Sequence, residues 1–159
     1  MSELQIPAFG ALLAPYISQV PADLVPRFLA LLERGAATRY REWAEMLPDH
    51  AEILLACAAD EDEIADRIDG AFALEPQLRD QLHAPLAGAR DTYYATFEGY
   101  DVWDQLRIQA NAERQGANAW RGIATRTIDT VVREQLATCS ALEEASADRL
   151  DALIATHAP

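Results

Sequence analysis

Residues 33–44 read Glu33-Arg34-Gly35-Ala36-Ala37-Thr38-Arg39-Tyr40-Arg41-Glu42-Trp43-Ala44, and residues 113–124 say much the same again. At an offset of 80, Glu33 meets Glu113, Arg34 meets Arg114, Ala37 meets Ala117 and Arg41 meets Arg121. Tyr40 falls opposite Trp120. A second match runs from Cys57–Asp69 to Cys139–Asp151 at an offset of 82, aligning Glu61 with Glu143 and Arg67 with Arg149. Two matched segments at nearly one offset mark a duplicated helical hairpin rather than a short-period array. Each of the four segments carries one glutamate at the matched place: Glu33, Glu61, Glu113 and Glu143.

The 159 residues suit a single domain, 1–159, with a substantial core. The net charge is −13, and every basic residue is an arginine. Such a field repels nucleic acid and anionic membrane surfaces, so neither is expected as a partner. An apolar content of 50% with dispersed charges argues against disorder. No apolar run approaches a membrane span, and Met1-Ser2-Glu3 does not open like a signal peptide. Cys57 and Cys139 fall on inward faces and form no disulfide framework. The expected location is therefore cytoplasmic. A homodimer is compatible with these features, and no other protein partner is indicated.

Along the chain, residues 1–20 read as an apolar N-terminal docking arm with a short helical turn. The first hairpin covers 21–70, its helices running from Pro21-Ala22-Asp23 to about Leu47 and from an Asp49 cap to about Gly70. Residues 71–100 form a long crossover punctuated by Pro76, Pro85, Gly88 and Gly99, with helical pieces around 76–83 and 86–98. The second hairpin covers 101–156, opening at an Asp101 cap, turning around Thr125–Asp129 and resuming near Thr130. The tail from His157 to Pro159 is expected to fray.

Helical spacing puts all four glutamates on apolar stripes, away from the solvent faces where Glu42, Glu45, Glu52, Glu63 and Glu134 lie. Glu33 and Glu61 stand about 14 and 12 residues from their hairpin turn, roughly 21 and 18 Å at the helical rise. Glu113 and Glu143 stand at a similar height in the second hairpin. Packing the hairpins around a pseudo-two-fold axis brings the four together. Unpaired buried carboxylates are prohibitively costly, so they must hold protons, meet arginines or bind cations. A pair of divalent ions cancels the charge, and oxygen ligands suit iron or manganese.

With Glu-x-x-Ala-x-x-x-Tyr at Glu33, Ala36 and Tyr40, and Glu-x-x-Gly-x-x-x-Trp at Glu113, Gly116 and Trp120, the chain resembles the ferritin-like superfamily of rubrerythrin and ferritin. The resemblance covers residues 22–156 and implies an all-α, ferritin-like four-helix bundle with a long crossover between its hairpins. It implies a dimetal centre with Glu33 and Glu113 as terminal ligands and Glu61 and Glu143 bridging. Tyr40, with Trp120 at the matched position, would hydrogen-bond the ligands. The implied chemistry is oxidoreductase handling of oxygen, peroxide or iron itself, with no catalytic residue assigned beyond the ligands.

The family's second and fourth helices carry Glu-x-x-His, whereas this chain has Ile64 and Ser146 at the histidine positions. His50, His83 and His157 lie elsewhere and cannot substitute. A metal-free bundle serving as a non-catalytic interaction module therefore stands beside the dimetal reading. Cys57 and Cys139 are expected as buried small hydrophobes rather than ligands, and the aromatics of 93–103 as packing. Asp60, Asp62 and Glu63 are expected on a solvated face, and Arg67 and Arg149 in surface ion pairs.

Overall fold

The computed structural model describes residues 3–157, which are all-α, with no strand among them. The helices are α1 (Phe9–Ile17), α2 (Val25–Met46), α3 (Ala51–Ala71), α4 (Arg79–His83), α5 (Leu86–Ala95), α6 (Val102–Thr125) and α7 (Thr130–His157). The four long ones pair as hairpins, α2 with α3 and α6 with α7, and α3 packs against α7 to join them.

Helix ends follow local chemistry. Asp101 caps α6 as expected, its Oδ1 accepting from the Asp104 amide at 2.9 Å. Asp49 does not cap α3. Proline 48 winds Pro48–His50 into a 3-10 turn, so α3 starts at Ala51 with His50 before it and no side-chain cap. The first long helix likewise begins later than expected, after a 3-10 turn at Ala22–Leu24, with Pro26 tolerated near its start. The crossover turns at Gly99, whose φ of 82° is open to glycine at little cost. His157 does not fray; it stacks on Trp103 at 3.8 Å between ring centres. Ala158 and Pro159, like Met1 and Ser2 of the arm, lie outside the described residues.

The duplication reappears in the ion pairs that clamp each hairpin. Arg34 meets Asp66 at 2.5 Å and Asp69 at 3.4 Å, while Arg114 meets Asp148 at 3.3 Å and also Asp151. Arg41 pairs with Asp62 as Arg121 pairs with Glu144. Each exposed pair contributes little, but the repeated set gives both hairpins the same register. Arg67 pairs with Glu63, and Arg149 with Asp60. Asp60 departs from the expected solvated face: its side chain is only 14% exposed, at the α3–α7 seam.

Two apolar layers fill the interior of the four long helices, beside a third cluster around Phe28, Leu82 and Leu86. One gathers Tyr40, Trp43, Leu54, Phe97, Leu106 and Leu150. The other gathers Ala30, Ile64, Ile68, Trp120, Leu136 and Cys139. By their heights along the helices, Glu33, Glu61, Glu113 and Glu143 lie between the two. The N-terminal arm docks as a helix: the Phe9 amide donates to Gln115 Oε1 at 2.8 Å, and Gln115 Nε2 donates to the Pro7 carbonyl at 2.9 Å. Tyr16 seats against Gly88, where an added Cβ would lie 2.5 Å from its ring.

Candidate metal centre

All four matched glutamates turn inward. Glu61, Glu113 and Glu143 are 1–2% exposed, and Glu33 is half-buried. Glu33, Glu61 and Glu143 each bring an oxygen within 4.8 Å of the other two. Glu113 is not part of that mutual trio, but it lies close enough for its charge to add to burial in raising the pKa of both Glu61 and Glu143. The four carboxylates come from four separate helices, α2, α3, α6 and α7.

Gly116 makes the approach possible. A Cβ there would fall 2.6 Å from Glu143 Oε1 and 2.9 Å from its carboxyl carbon. Without a side chain, α6 lets the Glu143 carboxylate lie against its backbone.

The partners of these carboxylates obey a two-fold relation. Tyr40 donates to Glu113 Oε1 at 2.5 Å, and its counterpart Trp120 donates to Glu33 Oε1 at 3.2 Å. The aromatic of each hairpin therefore serves the glutamate of the other, so Tyr40 supports Glu113 rather than its own neighbour Glu33. Trp120 also donates to Glu143 Oε1 at 3.1 Å. At the α3–α7 seam the Cys139 thiol points at the Ile64 carbonyl at 3.9 Å. The reciprocal Tyr40–Glu113 and Trp120–Glu33 bonds are what a two-fold relation between the hairpins produces, here within one chain.

Gln109 was not singled out from the sequence, although it lies one turn before Glu113 on the same stripe. Its Nε2 donates to Glu113 Oε1 at 2.7 Å, and its Oε1 accepts from Tyr93 at 2.6 Å. Tyr93, expected as packing, is thereby linked to the cluster. Ser146 points to Asp60 Oδ2 at 3.3 Å, and Ile64 is fully buried in an apolar layer.

The electrostatics follow from crowding without cationic relief. None of the four glutamates forms an ion pair among the described residues. Burial, then the charges of Glu113, Glu143 and Glu33, pushes Glu61 well above the ordinary carboxylate range. Burial, then Glu33 and Glu113, does the same to Glu143. Glu33 is raised by burial, partly offset by hydrogen bonding with Glu61, Glu143 and Trp120. Burial lifts the Cys57 and Cys139 thiols to about 12, which keeps them protonated and agrees with their reading as small hydrophobes.

Two oxygens remain enclosed without any hydrogen-bond partner, Glu61 Oε2 and Glu113 Oε2. Orphaned acceptors of this kind are rare because their desolvation is uncompensated. They fit a site for a cation, since the donors are all hard oxygens.

No described helix is long and apolar enough to cross a membrane. Compared with known proteins, the chain matches no family model, no curated protein and no solved structure.

Proposed function

We propose that this chain is a ferritin-like four-helix carboxylate protein in which Glu33, Glu61, Glu113 and Glu143 hold a pair of divalent cations. The observation that carries this reading is the meeting of Glu33, Glu61 and Glu143 oxygens within 4.8 Å, with buried Glu113 beside them and no arginine among them. Of the three ways to neutralise such a cluster, only protons and cations remain. Oxygen-only donors suit hard divalent ions such as manganese, and the family resemblance adds iron. When bound, such a pair supplies redox chemistry toward oxygen, peroxide or iron.

The chain's own residues prepare the site. Tyr40 and Gln109 occupy Glu113 Oε1 and leave Oε2 as the free donor. Trp120 ties Glu33 to Glu143 through one N–H. Apolar layers bound the cluster above and below along the helices.

The test is titration of chelator-treated protein with Mn(II) and Fe(II), followed by calorimetry and thermal melting. Binding to the native state raises the melting temperature. Glu61→Ala or Glu143→Ala is expected to abolish stoichiometric uptake.

A second reading has its own observation: neither Ile64 nor Ser146 offers a nitrogen donor, and Ser146 is engaged by Asp60. On that reading the carboxyls share protons and the bundle is a non-catalytic interaction module. Melting would then ignore both metals, and Glu61→Ala would leave stability equal or higher.

A further inference from the structure

The two sides of the molecule differ. Helices α3 and α7 pack backbone to backbone, whereas α2 and α6 stand farther apart and meet through long side chains such as Tyr40 and Trp120, with α1 and α5 roofing the space between them. Beneath the roof is a cavity of about 170 Å³ that reaches the carboxylate cluster. Its apolar walls are Phe9, Leu13 and Ile17 from α1, Leu29 and Leu32 from α2, and Ala112 from α6. Apolar cavities of about 150 Å³ take a benzene-sized molecule, so this one has room for a single ring or a short chain.

Arg90 of α5 is the wall residue that apolar packing does not explain. Among the described residues, Arg79, Arg90, Arg126 and Arg133 have no carboxylate at ion-pairing distance. The other three are exposed; Arg90 is half-buried. Its Nη2 donates to the Leu31 carbonyl at 3.2 Å, while its Nε–H is enclosed and has no acceptor. An enclosed guanidinium donor without a partner is costly. In a chain with 26 acidic residues, none is placed to answer it.

We propose that this cavity binds a small organic monoanion, an aromatic or short-chain carboxylic acid, with its apolar body along α1 and its carboxylate on Arg90. The opposite orientation would drive the anionic head into four glutamates. Direction is thus set by charge, and capacity by volume. The inference goes beyond the metal reading and does not need it.

The experiment is calorimetric titration of the full chain with benzoate and hexanoate, beside benzyl alcohol and 1-hexanol as neutral counterparts. It is run with and without Mn(II), whose own binding is read separately, so a chain that takes up no metal still tests the cavity. The acids are expected to bind at one molecule per chain and at least about ten-fold more tightly than the alcohols, as a charge-assisted hydrogen bond requires. Arg90→Met should erase that preference and leave alcohol binding within about two-fold, since the side-chain bulk remains. Leu13→Trp, which fills the cavity from α1, should abolish binding of acids and alcohols alike. In the parent protein, the Arg90 Nε–H resonance should move with benzoate and stay still with benzyl alcohol, a readout that does not depend on any variant folding. Equal affinity for acid and alcohol, no binding by any probe in either metal state, or an unmoved Arg90 resonance would each overturn the proposal.

Discussion

Gly116 sets the tolerance of the carboxylate cluster at the scale of a single methyl group. Its replacement by alanine would put a Cβ within 2.6 Å of Glu143 Oε1, so Glu143 must leave its place. Gly116→Ala is expected to weaken Mn(II) binding by about 10- to 100-fold, the range seen when a ligand loses its orientation. An unchanged isotherm would remove Glu143 from the ligand set. The small residue three places after Glu33 and after Glu113, Ala36 and Gly116, was visible in the sequence. That Glu143 of another helix fills the space beside Gly116 was not, because it depends on the path of a side chain across a helix interface. The histidine positions are similarly divided. Ile64→His keeps a buried site beside Trp120 and should strengthen Fe(II) binding, since neutral imidazole adds a donor without charge. Ser146→His loses the hydrogen bond to Asp60 and is expected to gain less. Parallel iron titrations of the two variants distinguish them.

Among the elements, α6 is the most burdened. Gln105, Gln109 and Glu113 recur every four residues along its inner face, and all three are buried. A polar stripe on an inward face was readable from that spacing, yet glutamine passes for a solvent residue until its partners are known. Gln105 accepts from Trp43 at 2.8 Å and from Arg39 at 2.7 Å, and Gln109 bridges Tyr93 to Glu113. The same helix holds the N-terminal arm through Gln115. Gln115→Ala removes the bonds to Phe9 and Pro7, and its effect should be local. Amide exchange of residues 9–17 should accelerate while α3 and α7 stay protected, as expected for a weakly held peripheral unit. Equal exchange in parent and variant would show that apolar contacts alone hold the arm. The docking of the arm was legible in its apolar content. That it roofs a cavity was not, since nothing in residues 1–20 tells how far apart α2 and α6 stand.

For the whole molecule, the raised carboxyls couple folding to pH. A carboxyl whose native pKa lies above its unfolded value keeps a proton that the unfolded chain has already released. The native state then binds more protons, and stability falls as pH rises. The contribution from Glu33, Glu61 and Glu143 is fully present below the ordinary carboxylate range and is lost as pH climbs through their raised values. Metal-free protein should therefore melt at lower temperature at about pH 8 than at about pH 5. Mn(II) should reverse the trend, because it binds the deprotonated carboxylates. General repulsion from a net charge of −13 acts in the same direction. The double variant Glu61→Gln with Glu143→Gln separates the two effects: its melting temperature should depend less on pH than the parent's. A parent-like slope in that variant would assign the effect to the surface. The duplication that underlies the cluster was the most legible feature of the sequence, and its reciprocal exchanges, Tyr40 with Glu113 and Trp120 with Glu33, express it in three dimensions.

The shared N–H of Trp120 also equips the molecule with an optical probe of its own interior. An indole donating to two carboxylates senses their charge directly, so its emission should shift when Glu33 or Glu143 gains or loses a proton. A paramagnetic ion beside those carboxylates would quench it. Trp43 and Trp103 sit among aromatic neighbours and report on packing instead. A chain carrying phenylalanine at those two positions would let fluorescence follow the state of the cluster in real time, without any added label.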